Sequence, residues 1–170
     1  GKLLYQGGDR KVKVLEKNTQ NELQVVVFKI KDEMFAADIH QVKEIRGVDK
    51  VTKVPDAPDV LEGIIHLRGQ IYPIVNLSKR FRKDKYEITP QSRTIIIDLK
   101  GSRFGVIVDE VTEVIRVKKE DIQSTPDILS SQNGYLEGVI KRDEQLILFV
   151  NLEKILTDKE LNEISKTKDL

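Results

Sequence analysis

The 170-residue chain has no cysteine, no tryptophan and only two histidines, His40 and His66. Without thiols there is no disulfide framework, thiolate nucleophile or Cys-ligated zinc, and two histidines leave little for a triad or a histidine metal site. No apolar run approaches the ~20 residues that span a bilayer, so direct membrane insertion is not expected. Charge of one sign is also missing. Lys+Arg number 29 against 28 Asp+Glu, a net +1 that carries no signal of a nucleic-acid or anionic-membrane partner. The five Phe and four Tyr are scattered, where a single-strand binder needs aromatics alternating with Lys/Arg on one face. The one basic cluster, SKRFRKDKY at 78–86, reads as a solvated linker. No phosphate-cradling, dinucleotide, zinc-protease or nucleophile-elbow motif occurs. The pairs Asp109-Glu110 and Asp143-Glu144 are adjacent, hence on opposite strand faces or in a turn. No catalytic residue, metal ligand or cofactor is expected. The start, GKLLYQGGDRKVKVLEKNTQN, shows neither an apolar h-region nor a small-residue cleavage site, so a cytoplasmic location is expected.

What the chain does have is a repeat of itself. Residues 61–77, LEGIIHLRGQIYPIVNL, align without a gap on 136–152, LEGVIKRDEQLILFVNL, with eight identities in seventeen positions at an offset of 75. Upstream, 25–44 lies over 94–113 at an offset of 69, with Lys31/Lys100, Phe35/Phe104, Val42/Val111 and Glu44/Glu113 identical. Six extra residues therefore fall between Glu113 and Leu136, and the polar stretch 124–135 is the natural place for them. A longer loop on one copy points to a binding element.

Each copy has a period of two. Val26, Phe28 and Ile30 alternate with Val25, Val27 and Lys29, and Ile95, Ile97 and Leu99 with Thr94, Ile96 and Asp98. Both read as strands with one buried face. Lys31-Asp32-Glu33 and Lys100-Gly101-Ser102 then punctuate a hairpin in each copy. In the second hairpins Arg68-Gly69 and Asp143-Glu144 are turn residues, and Pro73 argues for an edge or a bulge. Gly63 and Gly138 are identical across the copies, so the backbone needs glycine there, through a bulge or a close approach. The fold class is mainly β: two small barrels, with a short C-terminal helix signalled by a capping turn at Asn151 and a capping box from Thr157 to Glu160. The spans are a flexible tail at 1–21, a first repeat at 22–92, a second at 93–152 and the helix and tail at 153–170. Strand exchange between the repeats would make these boundaries approximate.

Four segments in fixed order carry a family resemblance: VKEIRG at 42–47, GIIHLRGQIYPIVNL at 63–77, VDEVTEV at 108–114 and LEGVI…LILFVNLEKIL at 136–156. The chain resembles the CheW family of chemotaxis coupling proteins over about 22–157, departing from its usual motif at His66 and Asn76. The resemblance implies two intertwined five-stranded SH3-like barrels, the fold shared with the regulatory domain of the chemotaxis histidine kinase. It implies a non-enzymatic adaptor joining the cytoplasmic hairpin tip of methyl-accepting chemoreceptors to that kinase domain, recruited to membrane receptor arrays, with other coupling proteins as ring neighbours.

By the same resemblance Val42, Glu44, Gly63, Arg68, Ile95 and Val114 are receptor-binding candidates, and Val51, Gln123 and Ile128 are kinase-binding candidates. The residues themselves weigh most for Arg68. Its counterpart is Asp143, so the scaffold does not require a cation there, and a guanidinium offers planar, multi-donor contacts to a partner. Val42 and Ile95 also read as core, and Ile128 also reads as a plug over a barrel mouth. Two other readings share the pattern: a regulatory-domain fragment of the kinase itself, and a small-barrel single-strand nucleic-acid binder.

Overall fold

The computed structural model describes residues 5–6, 21–81, 87–99, 101–125 and 134–167. Twelve strands run in chain order: β1 Tyr5–Gln6, β2 Glu22–Ile30, β3 Glu33–Asp38, β4 Glu44–Gly47, β5 Leu61–Leu67, β6 Gln70–Asn76, β7 Arg93–Leu99, β8 Ser102–Val108, β9 Glu110–Lys118, β10 Ile122–Gln123, β11 Leu136–Arg142 and β12 Gln145–Val150. Helix α1, Leu77–Arg80, follows β6, and helix α2, Asp158–Thr167, closes the described chain. The strands form two six-stranded sheets, β1-β4-β7-β8-β6-β5 and β10-β11-β12-β3-β2-β9. Each is five principal strands plus one two-residue strand, which is the expected five-stranded SH3-like unit with a short addition. Among the described residues neither sheet closes its hydrogen-bond ladder into a complete barrel.

The duplication makes β7–β8 the counterpart of β2–β3, yet the hairpins sit in opposite sheets. β7–β8 pairs with β4 and β6, while β2–β3 pairs with β9 and β12. Each barrel therefore takes two strands from the other copy, and 22–92 and 93–152 delimit the copies of the duplication while each barrel draws on both. Three apolar clusters follow. Ile65, Tyr72, Ile74, Ile96 and Ile107 fill the first barrel, and Val25, Val27, Ile115, Ile140 and Ile147 fill the second. A third and larger cluster, with Val26, Phe28, Ile45, Ile95, Ile97 and Val106, lies between the sheets.

This arrangement corrects the one-faced reading of the strands. Val25 through Phe28 and Ile95 through Ile97 are all 0% exposed, because alternate side chains enter a barrel and the inter-sheet core. A strand between two cores is apolar on both faces. Pro73 is corrected too. β6 is an inner strand, and the proline is accommodated because the parallel ladder to β8 begins only at Ile74. The linker reading of 78–86 holds less than expected: Leu77 and Ser78 are buried in α1, and Phe81 stacks on Phe35 at 4.8 Å and on Tyr135 at 5.0 Å. Residues 82–86 lie outside the described residues. Within the stretch read as a tail, Tyr5 and Gln6 pair in parallel with Ile45 and Arg46 of β4.

The capping signals hold. The Asn151 side chain accepts from the Glu153 N–H at 3.0 Å, and Thr157 and Glu160 exchange side-chain and backbone bonds at 2.8 and 3.1 Å. The matching asparagine, Asn76, caps α1 by accepting from the Lys79 N–H at 3.1 Å.

Gly63 and Gly138 sit at register shifts in the same place of each copy. A Cβ on Gly63 would meet the Thr52 carbonyl oxygen at 2.5 Å, and one on Gly138 would meet the Gln123 carbonyl oxygen at 2.8 Å. Thr52 bridges to Ile64 as Gln123 pairs with Val139, so each bulge receives the short strand that leads into its barrel's seam. Both glycines are thus set by a close backbone approach. Gly63→Ala and Gly138→Ala are each expected to lower stability by about 1–3 kcal/mol. Gly47→Ala, with nothing within 4 Å of the new carbon, should stay within about 0.5 kcal/mol. Urea unfolding midpoints of the three variants check the ranking.

Candidate functional site at the barrel seams

β5 and β6 are joined by a two-residue turn, Arg68-Gly69, with φ of 48° and 80°. Two positive φ values define the hairpin turn whose twist matches the strands, and Asn, Asp or Gly normally occupy it. A left-handed backbone costs a residue bearing a Cβ about 1–2 kcal/mol. The second copy follows the preference, with Asp143 at φ 56°. The first copy places an arginine there instead.

The side chain accounts for that choice. Arg68 Nη1 and Nη2 donate to Glu44 Oε1 and Oε2 at 2.7 and 3.0 Å, a bidentate pair. Glu44 lies on β4, its side chain only 6% exposed, while that of Arg68 is 54% exposed. Arg46 adds a longer contact to Glu44 at 3.7 Å and is itself held by Asp49 at 2.8 Å. The Arg68 hydrogen bonds hold the Glu44 carboxyl below the ordinary glutamate range, against a burial effect that alone would push it up. The pair spans the open side of the first barrel, from β4 to the tip of the β5–β6 hairpin. One face of the guanidinium is fixed and the rest stays in water, so its position is set before any partner arrives.

The second barrel has the same device in altered form. Glu113 of β9 is the counterpart of Glu44, and Arg142 at the end of β11 donates to its carboxylate. That arginine stands one residue before the turn, at the position of Leu67. Sequence comparison matched Arg68 to Asp143 and so missed this pair; the repeated glutamate was the signal that could have found it. Beside Glu44, Lys43 donates to Asp98 at 3.1 Å, with Tyr72 and Arg103 at 3.4 and 3.7 Å from the same carboxylate oxygen. Burial pushes Asp98 up, but the Lys43 bond and the neighbouring cations together bring it below its ordinary value.

The remaining candidates are distributed over both barrels. Val42 and Ile95 belong to the inter-sheet core, Ile95 with no exposed surface, and Val114 packs against that core half-buried. Ile95 therefore shapes a groove and does not line one. Gly63 lies against Val51, so a receptor candidate and a kinase candidate are neighbours. Gln123 lies against Gly138 in the matching place of the second barrel. Ile128 lies outside the described residues. No group of side chains able to hold a metal occurs among the described residues.

Two intertwined barrels with a pre-set, half-exposed arginine at one seam define the class of fold and site. A family model of the CheW-like domain matches residues 24–160. The chemotaxis protein CheW of Treponema pallidum (strain Nichols) is 32% identical over 149 residues, covering 85% of this chain and 88% of that protein. That of Bacillus subtilis (strain 168) is 34% identical over 137 residues, covering 80% and 87%. Among solved structures, the scaffolding protein TtCheW from Thermoanaerobacter tengcongensis superposes with a TM-score of 0.75 at 34% identity, covering 81% of this chain and 94% of its own. The chain belongs to the CheW family.

Because the folded pKa of Glu44 is depressed, its contribution to stability is present above the usual glutamate range and is lost as pH falls through the folded value. Arg68→Ala is expected to raise the Glu44 pKa and to destabilise the protein at neutral pH. The deficit should shrink toward zero in acid. Carboxyl NMR titration and denaturant midpoints at pH 7 and pH 3 measure both.

Proposed function

We propose that the chain is a non-enzymatic adaptor that couples chemoreceptors to the chemotaxis histidine kinase. Its membership of the CheW family, with relatives matched over most of their own length, supports this reading over a fragment of the kinase. The observation that carries the mechanism is Arg68: an arginine kept in a left-handed turn, where the other copy has aspartate, and aimed by a buried glutamate. Such a residue is spent on a partner.

The receptor's cytoplasmic hairpin tip engages the Arg68–Glu44 seam together with Val114. Val42, Gly63 and Ile95 act by shaping the backbone and core behind that surface. The kinase regulatory domain, or another coupling protein, meets the barrel ends near Val51 and Gln123, with Ile128 in the longer loop. Val51 and Gln123 stand beside the equivalent bulges of the two barrels, so one fold offers two similar ends to partners of the same fold, as ring formation requires. The protein works in the cytoplasm at receptor arrays. The receptor supplies the membrane attachment in this reading; no helix among the described residues is long and apolar enough to cross a membrane.

The test is an NMR titration of isotope-labelled protein with a chemoreceptor cytoplasmic hairpin. Shifts are expected at Arg68, Glu44 and Val114. A folded Arg68→Ala should bind roughly thirtyfold more weakly, the loss typical of a hot-spot arginine. Absence of shifts with several receptor tips, or equal binding by Arg68→Ala, would overturn the receptor assignment.

A further inference from the structure

In the first barrel the outer edge of β4 carries a strand of the chain itself, with Tyr5 opposite Ile45 and Gln6 opposite Arg46 in parallel. The duplication puts Val114 and Ile115 of β9 in the places of Ile45 and Arg46. Among the described residues β9 is laddered to β2 on one side only. Its other side looks across the open seam of the second barrel onto a cleft of about 510 Å³. Val114, Ile115 and Val117 line it from β9, and Ile140 lines it from β11. The rest of its lining is charged, and includes the Glu113–Arg142 ion pair together with Arg116, Lys141 and Asp121.

We infer that this cleft accepts the Tyr5–Gln6 strand of a second copy, added parallel to β9 with Tyr5 opposite Val114 and Gln6 opposite Ile115. The fold already uses this segment in this register on the equivalent edge. Among the described residues two pairs hold β1 to β4, a small ladder to release. β9 is nine residues long against four for β4, so Val114 and Ile115 stand within a regular extended stretch that a strand can join. Every copy then holds one donor strand and one acceptor edge, so association runs head to tail. The interface is small, so it is weak and concentration-dependent. The inference does not rest on the adaptor reading, but it shares Val114 with the proposed receptor surface, so strand and receptor would compete there.

The chain has no native cysteine, so single cysteines report the contact. Tyr5→Cys protein is mixed with Val114→Cys protein under mild oxidation, and separately with Gln145→Cys protein, whose cysteine is exposed elsewhere on the same barrel. Heterodimer is expected to accumulate with Val114→Cys and not with Gln145→Cys. In sedimentation velocity the full chain should grow in apparent mass with concentration, and a folded deletion of residues 1–8 should lose that growth. Equal cross-linking to both cysteines, self-association that survives the deletion, or a monomer at every concentration would each overturn the inference. The last result would leave the edge to a strand from a different protein.

Discussion

The structure depends on the exchange of hairpins between the two copies. A barrel built from one copy alone would lack its central β-pair, since β7–β8 completes the first sheet and β2–β3 the second. The exchange brings Val26, Phe28 and Ile30 of one copy against Ile95, Ile97 and Val106 of the other, with no solvent between them. Folding therefore requires contacts far apart in sequence, and the two barrels stabilise each other through one shared core. Such topology is slow to form because loop closure precedes its reward. It also fixes the relative position of the barrels, which a linker between independent domains would leave free.

A second consequence concerns where partners can bind. Inner strands with a core on each face present no side-chain surface, so recognition is confined to hairpin tips, strand edges and the seams where each ladder stays open. The notable features fall there. Arg68 is at a tip and reaches across a seam, Glu113 and Arg142 mirror it, and Val51 and Gln123 sit beside the bulges at Gly63 and Gly138. A Coulombic latch suits a seam: it joins two strands that do not pair with each other and leaves the outer face of the guanidinium wet.

Much of this was legible in the sequence because duplication acts as an internal control. Positions identical in both copies, such as Gly63/Gly138 and Asn76/Asn151, proved to serve the scaffold through a bulge and a cap. Positions that differ, such as Arg68 and Asp143, separated side-chain duty from backbone need. The rest escaped for physical reasons. Burial on both faces removes the polar half of the period-two pattern, so Val25 to Phe28 reads the same whether one core or two lies beside it. The pairing of Glu113 with Arg142 escaped because a long side chain can reach the same carboxylate from a neighbouring residue, which position-by-position matching cannot see. The role of α1 escaped because Leu77 and Phe81 are embedded in a basic run whose charge dominates its composition.

Glu44 shows how the repeated and the unique positions combine. A glutamate at this place is part of the common plan, since Glu113 occupies it in the second barrel with a cation from the hairpin as partner. In the second barrel both members are about half exposed, so solvent screens the pair and little depends on it. In the first barrel the carboxylate is buried at 6% exposure, so removing Arg68 would leave a charge that water hardly reaches and that Arg46, at 3.7 Å, offsets less well. The same ion pair has thus become an obligation in one copy only. That asymmetry ties the orientation of Arg68 to the integrity of the seam: a partner that draws the guanidinium away must supply the carboxylate with another donor. Under the proposed receptor assignment, recognition and barrel closure share one interaction, and a signal arriving at the hairpin tip would act on the edge of the sheet that the other copy's β7–β8 hairpin completes.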